Sequence, residues 1–376
     1  VEFASHPSRS SSWFAPRHPL ILARPPAACP CQSSGAAGRR AIIAQMAALP
    51  ESPPHTACRL HIDYRDVPAA TALATPGTLA VFGFGANAPA TPTDPRYLQV
   101  ALPALGRAPL ECWQVDADVA YGREGGIAWA QGGGLQFGAL EIADDGDVEA
   151  AAAHAYTCLR DWLASSASAH PLLTCNYVDV LPEGGCDTER YRRFCVGRAR
   201  GIGRALAPGE LPAATAIGHP HRTGRLQLYW LAAEQAGTAL ENPRQVQAWR
   251  YPRQYGPQPP GFARALLPPA STLPLLLSGT AAVVGHASQH ADSLDAQLDE
   301  ILTNLDSLIA TARMQRPSLP PSLGIGTRIK VYVRDAEALP LVDALLAARL
   351  PTVPRIVLHG HVCRQELLVE IDGCHA

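Results

Sequence analysis

The 376-residue sequence has no uninterrupted apolar run approaching the roughly 20 residues that a membrane-spanning helix needs. It also lacks an excess of either charge, because 31 basic side chains accompany 33 acidic ones and the formal net charge is -2. Nucleic-acid-binding domains and polybasic membrane anchors concentrate Lys and Arg on one surface. We therefore predict a soluble, cytoplasmic protein with neither a nucleic-acid nor a membrane partner.

Paired cysteine motifs are also missing. The sequence contains 10 cysteines but no Cys-x-x-Cys pair of the kind that holds zinc or performs redox chemistry. The closest two cysteines, Cys29 and Cys31, fall in an N-terminal segment of unusual composition. His286 and His290 have the i, i+4 spacing of some metal sites, but no acid or thiol set accompanies them. We therefore expect reduced thiols, capping or surface histidines and no metal.

Residues 1–45 differ in composition from the remainder of the chain. They are rich in Ser, Pro and Arg, contain Glu2 as their only acid, and precede the first methionine, Met46. We interpret this segment as a disordered tail or an upstream extension, with a transit peptide as the alternative. The remaining residues suffice for two domains, which we predict at 46–235 and 236–376.

The C-terminal part of the sequence predicts one α/β unit. Apolar residues recur with a period of about 3.6 between residues 294 and 312, which indicates a long amphipathic helix capped by Asp292 or Ser293. A buried strand broken by Gly279 precedes this helix. A strand over 327–333, a helix over 339–350 and a closing pair of strands over 355–363 and 365–371 follow it.

The same order of elements occurs upstream, with strands and helices alternating between residues 134 and 233. Matching Arg225-Leu226-Gln227-Leu228 with Arg364-Gln365-Glu366-Leu367 aligns the two closing strands and places Leu231 at the position of Glu370. We therefore predict an α/β (α+β) protein built as a tandem duplication, with helices on one face of each mixed sheet. One unit keeps an ionisable residue where the other is apolar, which suggests one active unit and one scaffold unit.

The sequence resembles a known enzyme family in several strings. The order of a strand with SG-x, a long helix, VYVRD at 331–335 and a final E-I strand is similar to the small trimeric RidA-like (YjgF) imine deaminases. The tandem arrangement with ENPRQVQAWRYPRQYGPQPPGFARA, SGTAAVVGH and CRQELLVEI resembles the chorismatases, which include 3-hydroxybenzoate synthases and proteins described as pteridine-dependent dioxygenase-like. The likeness covers about residues 60 to 373. It implies two RidA-like units with a chorismate-mutase-like architecture, a homotrimer and no cofactor.

The resemblance also implies the reaction. Chorismate would be converted to 3-hydroxybenzoate and pyruvate, with 4-hydroxybenzoate as a possible second product, for pigment, quinone or antibiotic synthesis. Two alternatives stay open: a chorismate hydrolase that gives a dihydroxycyclohexadiene carboxylate, and an imine deaminase of the RidA type. A non-catalytic ligand-binding trimer is a further alternative.

Two kinds of side chain are required by a substrate with two carboxylates and an enol ether. Arginines bind carboxylates bidentately, and a carboxyl with a raised pKa can protonate the enol-ether carbon. In the family pattern Glu370, on an apolar strand, is the catalytic acid, although a glutamate at a strand end is often only a rim residue. Arg198 and Arg264 match the carboxylate clamps, and Arg253 is a third arginine that could instead brace its loop.

Three further residues complete the predicted site. Tyr191 and Tyr251 could donate hydrogen bonds to the substrate, with Tyr255 a weaker choice, although tyrosines in such motifs often only pack. Cys363 is predicted to be catalytic because family members that aromatise chorismate carry cysteine there; the alternative is a small buried hydrophobe. A separation of seven residues puts Cys363 and Glu370 on opposite faces of one regular strand, so a turn must lie between them if both line the site.

Overall fold

The computed structural model describes residues 59–86, 88–89 and 93–376, which belong to one compact unit. The predicted N-terminal tail, Cys29 and Cys31 lie outside the described residues. Within the described residues the chain forms three successive sheets of four or more strands, and no helix there is long and apolar enough to cross a bilayer.

The first sheet has four strands and a short helix. These are β1 (Leu60–Arg65), α1 (Ala69–Ala74), β2 (Thr78–Phe84), β3 (Tyr97–Val100) and β4 (Leu110–Val115). The strand order is β1-β4-β2-β3, and β2 and β3 run parallel. This sheet was not predicted from the sequence. Every residue of β2 is buried, so the sequence there shows no alternation of apolar and polar side chains.

The second sheet has six strands and two helices. These are β5 (Ala120–Glu124), β6 (Ile127–Gly132), β7 (Leu135–Ala143), α2 (Val148–Ser165), β8 (His170–Asp179), α3 (Arg190–Ile202), β9 (Ala213–His219) and β10 (Arg225–Ala233). The order is β5-β6-β7-β10-β8-β9. Gly197 and Gly201 let α3 approach α2 closely, because a β-carbon at either would overlap a backbone oxygen of α2. This contact fixes the face of α3 that carries Arg198.

The third sheet repeats the second. Its elements are β11 (Thr238–Leu240), β12 (Ala265–Leu267), β13 (Leu275–Ala281), α4 (Leu294–Gln315), β16 (Arg328–Val333), α5 (Leu339–Arg349), β17 (Arg355–His359) and β18 (Val369–His375). A two-stranded ribbon, β14 (Val283–Val284) and β15 (Ala287–Ser288), follows β13. The order is β11-β12-β13-β18-β16-β17. The predicted long helix is confirmed as α4, and its Ser293 cap accepts a hydrogen bond from the backbone N–H of Ala296.

Alternate residues along the strands divide between two cores. In β16, Ile329, Val331 and Val333 pack under α4 and α5, whereas Tyr332 faces a core shared by all three sheets. Helices therefore cover one face of the third sheet, as predicted. The opposite face packs against the other sheets of the same chain.

The repeat occurs three times, because β1-β4-β2-β3, β7-β10-β8-β9 and β13-β18-β16-β17 share one topology. The prediction of a twofold duplication was therefore incomplete. The described part of the first repeat has no counterpart of α3 or α5. The division into domains at 46–235 and 236–376 stays a prediction.

The pairing of the strands identifies one structurally equivalent position in each of the three repeats. The strand beside each parallel edge strand contributes one fully buried aromatic residue to the shared core: Phe82, Tyr177 and Tyr332. The hydroxyl oxygens of Tyr177 and Tyr332 lie 3.4 Å apart. The residues paired with these aromatics are Glu111, Gln227 and Glu370, respectively.

Gln227, and not Leu231, is therefore the counterpart of Glu370. The sequence match was displaced by four residues because Arg364–Leu368 forms a turn before β18 begins at Val369, whereas Arg225 already lies in β10. Leu231 is a buried residue of the shared core. The three equivalent positions therefore carry the amide of Gln227 and the carboxyls of Glu111 and Glu370. Their surroundings differ.

Candidate active site

A cavity of 580 Å³ lies where β9 of the second sheet meets β13 and β18 of the third. Helix α3, the segment 251–264 and the turn 363–367 complete its wall. All six predicted site residues line it: Tyr191, Arg198, Tyr251, Arg264, Cys363 and Glu370.

Glu370 enters this cavity from the middle of the third sheet. It lies on β18 between Ala281 of β13 and Tyr332 of β16, and its residue is only 5% exposed. Burial, followed by the nearby charge of Asp372, raises the pKa of Glu370 to about 8, against the smaller opposite effect of Arg264. The side chain is therefore largely protonated at neutral pH.

A buried network lies behind Glu370 on the same strand. Asp372 accepts a hydrogen bond from the Tyr332 hydroxyl at 3.0 Å and lies 3.5 Å from Lys330 Nζ. Lys330 also contacts Glu111 at 3.1 Å. Burial opposes the charge of Lys330, but Asp372 and Glu111 outweigh it and raise the Lys330 pKa. The acid equivalent to Glu370 in the first repeat is thus an ion-pair partner, whereas Glu370 faces the cavity.

Arg264 is fixed by polar contacts and by aromatic rings. Its Nη2 donates to Tyr251 Oη at 2.7 Å and to the Val246 carbonyl at 2.8 Å. The guanidinium carbon lies 5.2 Å from the ring centre of Phe262. Buried Nε has no hydrogen-bond partner among the described residues. The group is therefore held in place while retaining a free donor.

Arg198 is held in a different way. It is 8% exposed, and its guanidinium carbon lies 5.0 Å from the ring centre of Tyr156, whose hydroxyl donates to Asn176. Among the described residues, no carboxylate lies within 4.0 Å of Arg198 or Arg264. Two buried cations without ion-pair partners, lining one cavity, favour an anionic ligand.

Cys363 and Tyr191 line the same cavity as Glu370. The turn anticipated between Cys363 and Glu370 is present, and it allows both to line one site. Burial and the charge of Glu370 raise the pKa of Cys363, which keeps the thiol protonated. Burial also raises the pKa of Tyr191, whose ring stacks on Phe194 with centroids 6.4 Å apart.

The cavity residues that were not predicted from the sequence include Arg364 and Thr215. Arg364 lies 3.9 Å above the centre of the Tyr255 ring and donates to the His286 carbonyl. Its position next to Cys363 was the signal available for it. Thr215 accepts a hydrogen bond from the Gly279 N–H at 3.1 Å, but nothing in the strand sequence marks it.

The structure also shows the contacts of Arg253, His286 and His290. Arg253 forms an exposed ion pair with Asp187 and is absent from the cavity wall among the described residues, as expected of a residue that braces a loop. His286 Nδ1 lies 3.2 Å from the Tyr255 hydroxyl, and His290 lies 3.6 Å from Glu300 on the surface. Each of these histidines therefore has a polar contact within the described part of the chain.

Comparison with known proteins places this geometry in a family. Residues 111–232 match the family model described as "Chorismatase FkbO/Hyg5-like, N-terminal". A chorismatase from Streptomyces rapamycinicus is 35% identical over 272 residues, which cover 70% of this chain and 81% of that protein. A 3-hydroxybenzoate synthase from Streptomyces hygroscopicus is 34% identical over 274 residues, covering 70% and 80% of the two chains.

A crystal structure of a chorismatase superposes with a TM-score of 0.76 at 31% identity, covering 86% of this chain and 100% of the other. The chain is therefore an enzyme of the chorismatase family.

Proposed function

We propose that the protein converts chorismate to 3-hydroxybenzoate and pyruvate, with 4-hydroxybenzoate as the second product to test for. The observation that carries this proposal is the buried, protonated Glu370 in one cavity with Arg198 and Arg264. The names of the chorismatase and 3-hydroxybenzoate synthase relatives support the same substrate and product.

The two arginines provide the binding step. Chorismate is a dianion, and each of its carboxylates meets one planar guanidinium. Because Arg264 is fixed by Tyr251 and Val246, and Arg198 by the packing of α3 on α2, the substrate binds to groups that are already oriented. The two carboxylates thereby place the enol ether near Glu370.

Glu370 provides the chemical step. Its carboxyl donates a proton to the terminal carbon of the enol ether, which turns the adjacent carbon into an electrophile and its oxygen into a leaving group. The neighbouring ring hydroxyl displaces that oxygen at the ring carbon, so that pyruvate leaves with the oxygen as its ketone, and the hydroxyl proton returns to the Glu370 carboxylate. Opening of the resulting epoxide, with transfer of a ring proton to its oxygen, gives the hydroxybenzoate. The overall conversion of chorismate to hydroxybenzoate and pyruvate consumes no water, because the atoms of the two products sum to those of the substrate. The neutral Cys363 thiol in the same cavity supports the aromatic outcome over hydrolysis, because family members that aromatise chorismate carry cysteine at this position.

The test is incubation of purified protein with chorismate, with pyruvate measured by a coupled lactate dehydrogenase assay and ring products separated by chromatography. Stoichiometric pyruvate and hydroxybenzoate are expected. Pyruvate with only a dihydroxycyclohexadiene carboxylate would assign the hydrolase subtype, and no pyruvate would refute the proposal. Release of ammonia from an enamine substrate would instead favour the imine deaminase alternative.

The homotrimer, the cytoplasmic location and the supply of product to pigment, quinone or antibiotic synthesis stay predictions. Analytical ultracentrifugation of the purified protein tests the first of these.

A further inference from the structure

A second cavity, of 590 Å³, lies between the first and second sheets. Edge strand β3 forms one wall, and β7 and β10 form the other, with Gln227 at its base. The catalytic cavity has the same relation to the next pair of repeats, since edge strand β9 there meets β13 and β18. The two cavities are therefore equivalent positions of the repeat and have nearly the same volume.

The two cavities differ in the residue at the equivalent strand position, which is Glu370 in the catalytic cavity and Gln227 in the second one. Glu370 donates a proton in the proposed reaction, whereas an amide at Gln227 cannot do so at neutral pH. The Gln227 Nε2 donates to the Gln99 carbonyl at 2.9 Å and to Glu141 Oε1 at 2.6 Å. Its buried Oε1 has no hydrogen-bond partner among the described residues. An acceptor is thus left at the base of the cavity.

His219 is a second buried polar side chain at this cavity. It is 1% exposed and lines the same cavity; its ring interacts with the Ala101 backbone, but neither ring nitrogen has a partner at full hydrogen-bond geometry within the described part of the chain. Burial lowers the pKa of His219, so the ring is neutral and presents one donor and one acceptor. Buried polar groups are normally paired, and leaving them unpaired costs free energy. Two such groups lining one cavity point to a ligand with a hydroxyl group.

The charges of the cavity favour an anion. Arg225 pairs with Glu141 at 2.6 Å, which balances these two side chains. Arg123 adds a further positive charge to the cavity lining. The net charge of the three side chains is therefore +1, which matches a monoanion better than the dianion bound next to Glu370.

We propose that this cavity is a non-catalytic site for a small hydroxylated ring carboxylate, whose carboxylate meets Arg123 and whose hydroxyl meets Gln227 and His219. A hydroxybenzoate has this chemistry, and its choice as the probe rests on the proposed function. The site itself rests on the cavity, its unpaired groups and its place in the repeat. Product released by one site would thereby occupy another on the same chain.

The test is isothermal titration of 3-hydroxybenzoate into the full chain and three variants. The wild type is expected to show two classes of site. Arg123→Ala, an exposed change that leaves the core intact, and Gln227→Leu should each weaken one class by about tenfold or more, as expected for a lost charge-assisted or buried hydrogen bond. Arg264→Ala should weaken only the other class.

Two probe controls resolve the ligand chemistry. Benzoate lacks the hydroxyl and 3-hydroxybenzyl alcohol lacks the carboxylate, so both should bind the Arg123-dependent class at least several-fold more weakly than 3-hydroxybenzoate. Absence of any binding class that both Arg123→Ala and Gln227→Leu weaken would overturn the proposal, whatever the total stoichiometry. Failure of the proposed function is read separately, as the absence of pyruvate release from chorismate.

Discussion

Gly279 of β13 leaves the space that the carboxyl of Glu370 occupies. A β-carbon built at Gly279 would overlap Glu370 Oε1, whereas its other near neighbour, Thr215 Cγ2, would be at 3.4 Å. The overlap involves the end of a side chain, so an added methyl group displaces the acid more readily than the backbone. A glycine in the strand therefore sets the position of the catalytic group on the neighbouring strand.

Gly279→Ala should lower kcat by about tenfold or more, because a displacement of about 1 Å is enough to impair proton transfer. Gly261→Ala is the matched control between two lining residues of the same cavity, Pro260 and Phe262, where the added β-carbon would make an ordinary 3.7 Å contact with Leu211. Steady-state kinetics and thermal unfolding of both variants separate displacement from misfolding. Equal kcat values for the two variants would contradict the proposed positioning role of Gly279.

Replacing Glu370 by Gln should reduce kcat by at least about 100-fold, because general acid catalysis typically contributes 10²–10⁴-fold. The amide has nearly the same size as the carboxyl, so KM should change little. Retention of more than about a tenth of wild-type turnover by folded protein would remove Glu370 from the mechanism. Leu231→Ala is the control, since it should destabilise the shared core by about 2–5 kcal/mol without a specific loss of turnover.

The pH dependence should follow the protonated form of Glu370. Its pKa in the free protein is about 8, so kcat/KM should be nearly constant between pH 6 and 7 and fall towards a tenfold loss per pH unit above pH 8. The sign follows because the acid form reacts and the anion does not. A pH–rate profile tests this, and the residual activity of Glu370→Gln should lose that alkaline limb. An increase in rate through pH 8 would indicate a general base instead.

Arg198→Ala and Arg264→Ala should each raise KM by about 10- to 100-fold, because a charge-assisted hydrogen bond contributes about 1.5–3 kcal/mol. Lysine should not restore full affinity at either position, since an ammonium cannot reproduce the bidentate fork. Arg253→Ala serves as the control because Arg253 forms an exposed ion pair with Asp187, outside the wall of the cavity. Comparable KM increases in all three alanine variants would argue against specific clamps.

Cys363→Ala should retain pyruvate release but shift the ring product away from hydroxybenzoate. The thiol is protonated and lines the cavity with Glu370, so its removal leaves the proton donor in place. Product chromatography at matched pyruvate yield measures the shift. An unchanged hydroxybenzoate fraction would reduce Cys363 to a packing residue.

The sequence predicted best where one side of an element is buried. Helix α4 was predictable because Leu298, Ile301 and Leu305 repeat with the helical period and lie under one face of the helix. The candidate site residues came from family strings and not from periodicity. The fold then explained why residues as distant as Arg198 and Glu370 line one cavity: β9 of one repeat lies against β13 of the next.

The incorrect sequence predictions concern strand register, because the local sequence of a strand does not determine which residues it pairs with. Nothing local in LECWQV of β4 shows that Glu111 occupies the same register position as Glu370, because that relation depends on which residue lies opposite in β2 and β16. The assignment of Leu231 failed for the same reason. Sheet register is a property of two strands, and one strand's sequence specifies it only weakly.

The position of β18 within its sheet has a consequence for protein synthesis. This strand lies between β13 and β16, yet it follows both of them in the chain by more than thirty residues. A ribosome that stopped before Val369 would release a polypeptide that has Arg198 and Arg264 but has neither Glu370 nor the strand joining the two halves of the third sheet. Premature termination would thus expose unpaired strand edges as well as remove the acid, and cellular quality control would meet an aggregation-prone fragment instead of an inactive but folded enzyme.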